Sequence, residues 1–167
     1  QTCALPISHF DWTYPNFIRL MDEIGVANRP TEMSFSVSCQ NTGLEYGGNN
    51  LNTLFAQRRN IVNPGYLKMI LDIVRFNKEA IVDLEEGAIA PESTLGEYLR
   101  ENKYSEGFIN KYLVPMGCAI WSASTESMLE FPLLFFVRFF KNHGLLSVSN
   151  RPQWRVIEGG SSSYLKP

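Results

Sequence analysis

The chain has 167 residues, 44% of them hydrophobic and 19% charged, which is about one globular domain by length and composition. A net charge of -2 argues against nucleic acid as a partner, since that needs a basic face, and no apolar run reaches the roughly 18 residues of a spanning helix. Aromatic residues make up 13%, which suits a large apolar core or a cavity for a bulky apolar ligand.

The first stretch, QTCALPIS, has no charge and no periodicity, and it lacks the basic start and apolar core of a secretory signal. Residues 1–7 resemble the translated end of a short-read sequencing adapter, so 1–8 are expected to be a non-native leader. The native chain is then expected to begin near Ser8 or His9, inside a longer protein. The terminal GGSSSYLKP starts a helix and stops, which points the same way.

Pro15 suits a first helical turn and Gly25 a helix end. Between them Phe17, Leu20, Met21 and Ile24 form one apolar stripe. EMSFSVS alternates, with Met33, Phe35 and Val37 on one face and Ser34, Ser36 and Ser38 on the other, so a half-buried strand is predicted over 33–38. GLEYGG is its predicted partner strand. Asn63-Pro64 starts a long helix that runs to Glu85 and stops at Gly87. Its stripe is Leu67, Ile70, Leu71 and Val74, widened by Met69, Ile73 and Phe76, so packing on two sides is expected.

Thr94 and Glu97 form a capping box for the next helix, and Ser105 begins another through Phe108, Ile109 and Tyr112. Pro132 opens PLLFFVRFFKN, which ends at His143-Gly144. QWRVIEGG closes the chain as a strand entering a Gly turn. The order predicts an α+β fold, mostly helical with a small sheet.

No GxGxxG, P-loop, HExxH or GxSxG motif is present. With only two histidines, His9 and His143, a Ser-His-Asp or Cys-His catalyst is poorly supported; His143 reads as a helix C-terminal cap. Cys39 and Cys118 stand alone, which argues against zinc and fits small buried residues in a reducing cytoplasm. Asp83, Glu85 and Glu86 offer a carboxylate pair, but a solvated helix end is the plainer reading. Arg58-Arg59 offers an anion site, or a loop ion pair or cap. FPLLFFVRFF reads first as a buried helix, then as the wall of an apolar cavity, and then as a helix on a membrane surface.

TYPNFIRLMDEIGV, EMSFSVS, GLEYGGNNLNTLFAQRRN, ILDIVRFNKEA, FFVRFFKNHGLLS and RPQWRVIEGGSSSYL together resemble the bacterial FAD-dependent, flavin-containing amine oxidase-like proteins, over residues 12–165. The resemblance implies a Rossmann-type FAD domain with a substrate domain inserted in it. This chain resembles the insertion: 9–158 as the substrate-binding domain and 159–167 as the start of the return into an FAD domain that lies outside this sequence. The resemblance implies FAD as cofactor, with the Gly-Gly turn at Gly159 and Gly160 close to it, and hydride transfer from a C–N or C–C bond of an amine or apolar small molecule. It assigns no catalytic residue. Ser34, Ser36, Tyr46, Trp121 and Phe136 are the expected pocket residues. The rival reading is a helical module that binds lipid or a membrane surface without catalysis.

Overall fold

The structure, a computed structural model, describes residues 8–10, 14–147 and 153–165. The expected leader at 1–7 lies outside the described residues; Ser8, its last assigned position, opens a strand.

The strands are β1 (Ser8–Phe10), β2 (Asn28–Thr31), β3 (Ser36–Cys39), β4 (Leu44–Gly47) and β5 (Trp154–Ile157). The helices are α1 (Pro15–Glu23), α2 (Leu51–Leu54), α3 (Pro64–Glu85), α4 (Leu95–Glu101), α5 (Glu106–Phe108), α6 (Val114–Trp121), α7 (Thr125–Leu129) and α8 (Leu133–Asn142). The fold is α+β, mostly helical, with one three-stranded and one two-stranded antiparallel sheet. Contacts divide the chain into two compact units, Gln1–Met33 with Asn142–Pro167, and Ser34–Lys141. Among the described residues no helix is long and apolar enough to cross a membrane.

The first unit holds the sheet β1-β5-β2. The sequence shows only β5, because Ser8–Phe10 is too short and Asn28–Thr31, NRPT, has no apolar alternation to read. Pro30 also reads against a strand, but β2 is an edge, where a missing N–H breaks no second ladder. Pro15 opens α1 as expected, and Gly25 ends it at φ +69°. Met21 is fully buried, while Leu20 of the same predicted stripe is about half exposed. Phe17 lies edge-on to the buried His9 ring at 5.5 Å and to Tyr164 at 6.0 Å. His143 follows α8, with its Nε2 3.4 Å from the Tyr14 hydroxyl.

The second unit begins with the ribbon β3–β4, in which Val37 faces Tyr46. The predicted strand over 33–38 is corrected to Ser36–Cys39, since β4 offers partners only from Leu44 to Gly47, and Met33 is exposed. Helix α3 has the predicted bounds, with the Asn63 side chain accepting from the Tyr66 N–H at 3.1 Å. Its buried face is another matter. Tyr66, Met69, Asp72, Phe76 and Ala80 are buried, Met69 and Phe76 as expected, whereas Leu67, Leu71 and Val74 of the expected stripe are exposed, continued by Val82, and Ile70 and Ile73 are half-buried. The helix is apolar on two sides, so periodicity alone could not choose between them.

The core of this unit is aromatic. Phe76 is fully buried, with its ring within 6.4 Å of those of Tyr98, Tyr104, Phe108 and Phe136. The Thr94–Glu97 capping box is present, with bonds of 3.2 and 3.0 Å, and fixes the start of α4. Gly96 lies so close to Leu129 that an added Cβ would meet its carbonyl oxygen at 3.0 Å, which is how α4 packs against α7.

Candidate functional site

Three places in the structure carry the residues singled out by the sequence. The first is the turn after β5, in the first unit. Gly159 and Gly160 both have positive φ, +79° and +73°. At Gly160 ψ is -169°, a region that only glycine occupies without strain. The Ser162 and Ser163 hydroxyls donate to the Gly159 and Gly160 carbonyls at 3.1 and 2.7 Å, so the turn is held from within. A Cβ on Gly160 would meet nothing within 4 Å, so its face is open backbone. Such a surface fits the close approach of a flat group, as FAD requires, by van der Waals contact. Gly160→Ala is expected to destabilise the protein by about 1–3 kcal/mol through backbone strain alone, read as a lower midpoint in thermal or urea unfolding.

The second place is the aromatic cluster around Trp121, in the second unit. Its ring lies 4.7 Å from Phe131, 4.8 Å from Phe139 and 5.6 Å from Phe136. Phe136 is fully buried and stacks on Phe140 at 4.1 Å. Helix α8 buries Leu133, Phe136, Val137 and Phe140, while Phe135 is exposed. Trp121 and Phe136 are thus brought together, Phe136 inside the core and Trp121 half-buried at its edge. Ser34 and Ser36 are exposed.

The third place is the region around Tyr46, also in the second unit. α5 continues through a π turn at Ile109–Leu113 into α6. Pro115 has no N–H to offer the Lys111 carbonyl one helical turn back. The Tyr46 hydroxyl donates to that carbonyl at 2.6 Å. The π turn and the tyrosine together accommodate a proline inside a helix. Burial raises the Tyr46 phenol well above its ordinary range, so it stays a donor. Tyr46→Phe leaves the carbonyl unsatisfied and is expected to cost about 1–3 kcal/mol, measured by denaturant unfolding with helix content followed by circular dichroism.

Beside Tyr46, but not lined by it, is a cleft of about 580 Å³. Leu44, Tyr66 and Met69 are its buried apolar part, and Arg59, Lys68 and Lys111 are its cations, with Glu106 the acid among its lining residues. Burial pushes the Tyr66 phenol up to about 12, and its hydroxyl donates to the Leu54 carbonyl. None of the five expected pocket residues lines this cleft.

Next to the cleft is Asp72, which the sequence reading passed over. It is 1% exposed. It accepts from Lys68 Nζ at 3.0 Å and from the Ser105 backbone N–H at 3.0 Å, and Arg75 Nε is 3.8 Å away. Burial opposes its charge most strongly, yet the Ser105 and Lys68 hydrogen bonds outweigh it and hold the carboxyl below the usual range. Lys68, Asp72 and Arg75 fall at i, i+4 and i+7, a pattern that marked the position in the sequence. The carboxylates that were singled out serve structure. Asp83 accepts from the Tyr98 hydroxyl at 2.5 Å, Glu85 pairs with Lys141 at 2.7 Å, and Glu86 caps α3.

No protein-family model matches the chain, and no curated protein matches it.

Proposed function

We propose that this chain is the substrate-binding portion of an FAD-dependent oxidoreductase of the amine oxidase-like kind, acting in the cytoplasm. The observation that carries the reading is the turn at Gly159 and Gly160. It follows a sheet strand, both φ values are positive, and the Gly160 face is open, as close approach to a cofactor demands. The segments that resemble the family include this turn and are spread over both units, which supports the reading further. So does the exposed apolar stripe of Leu67, Leu71, Val74 and Val82 on α3, a face suited to cover by another part of the same protein.

Bound FAD would supply the hydride acceptor for oxidation of a C–N or C–C bond in an amine or apolar molecule. Gly159 and Gly160 would lie against it and set its distance. The rest of the chain would shape the substrate space and keep it dry.

The test is the flavin itself. The complete protein that contains this chain is expected to purify yellow and to release FAD on denaturation. This chain alone is expected to be colourless and inactive. A complete protein that carries no flavin and takes up none when FAD is added sinks the reading.

A further inference from the structure

Arg59 and Lys111, two of the three cations lining the cleft, enter no ion pair among the described residues. Lys68, the third, is held by Asp72. Arg59 makes one long bond, 3.3 Å, to the Gly43 carbonyl. Glu106 is bound to Asn110 at 2.6 Å on its own helix. The cleft thus has two cations without a partner carboxylate, and both side chains are on exposed residues, free to reorient.

Two further observations point to an anion. Asn60 lines the same cleft and is only 4% exposed, yet its side-chain hydrogen bond is a long 3.4 Å donation to Gln57. The Nδ2 of this buried carboxamide carries a second N–H, for which there is no bond among the described residues. The first turn of α3 also meets the cleft, at Asn63, Gly65 and Tyr66. Asn63 accepts from Tyr66, and Pro64 has no N–H, so Gly65 keeps the uncapped donor at the positive end of a 22-residue helix. Against these polar groups stand the buried Leu44, Tyr66 and Met69, the apolar part of the cleft.

We propose that this cleft binds a small molecule bearing an oxyanion, carboxylate or phosphate. Arg59 and Lys111 hold the anionic group, Asn60 donates to it, and the apolar body rests on Leu44, Tyr66 and Met69. The volume, about 580 Å³, lies within the usual range for small-molecule sites. Arg59 suits either anion because its planar fork can grip two oxygens at once. The proposal is independent of the flavin reading, since the cleft lies wholly in Ser34–Lys141 and the Gly159–Gly160 turn does not.

Calorimetric titration of the full chain at low ionic strength tests it, with inorganic phosphate, benzoate and the neutral isostere benzamide as probes. Saturable binding of phosphate or benzoate is expected, with benzamide about tenfold weaker or more. Which anion binds tells the two sources of the charge apart. Arg59→Gln and Lys111→Gln are each expected to weaken binding about tenfold, while Lys78→Gln, an exposed cation outside the cleft, leaves it unchanged. Circular dichroism is expected to be the same for all three variants. Absence of saturable anion binding, equal binding of benzamide, or binding that survives both cleft substitutions overturns the proposal.

Discussion

Phe76→Ala is expected to cost about 3–5 kcal/mol of stability, the largest effect of any single truncation in the second unit. The ring is fully buried on α3 and meets four other rings, from α4, the segment after it, α5 and α8. Removing it takes away the transfer free energy of a large side chain and leaves a cavity, because rings held by α4, α5 and α8 cannot all collapse inward together. Phe76→Leu keeps part of the volume and is expected to cost clearly less. Urea unfolding of the two variants beside the parent chain checks the order. Equal midpoints for all three would mean that the ring is not at the centre of the core.

The second large effect concerns Asp72. Asp72→Ala removes the acceptor of the Ser105 N–H and the partner of Lys68, and is expected to cost about 2–4 kcal/mol. Ser105 caps the start of α5 with its side chain, accepting from the Phe108 N–H at 3.3 Å. The aspartate therefore ties that start to the middle of α3. Asp72→Asn separates charge from shape. The folded carboxyl sits below its ordinary value of about 3.9. Its contribution is thus fully present above that value and is lost as pH falls through the lower, folded one. The parent chain is expected to lose this part of its stability on acidification, and the Asn variant, already without it, to show a flatter acid limb. Parallel acid limbs in the two proteins would show that the charge at this position contributes nothing.

The local signals were legible without a structure, since each acts within a few residues. Asn63-Pro64 and Gly87 bound α3, Thr94 with Glu97 starts α4, and Gly144 follows α8, each through a cap or a turn that the residues themselves encode. The α+β class follows from such signals as well. What the sequence could not decide was which face of α3 is buried. The Leu67–Leu71–Val74 stripe and the Tyr66–Met69–Phe76 stripe are both apolar, and the choice is made by partners far away in the chain. Strands β1 and β2 are of the same kind, because their hydrogen bonds exist only when β5 arrives more than a hundred residues later.

The candidate sites divide in the same way. Gly159 and Gly160 were legible, because a pair of glycines after a strand states its own conformational need. Tyr46 reads in the sequence as a pocket residue, but the bond it makes depends on Pro115, whose missing N–H matters only once the ribbon lies beside that helix. Of the cleft only Arg59 was legible, as half of the Arg58-Arg59 anion site. Arg59 with Asn60, Lys68, and Lys111 come from three separate segments, and a cavity belongs to the space between elements rather than to any one of them. Sequence determines where this chain turns, caps and begins its helices, because those energies are local; tertiary packing alone decides what is buried and what is left to meet a ligand, because burial depends on residues that are distant in the chain.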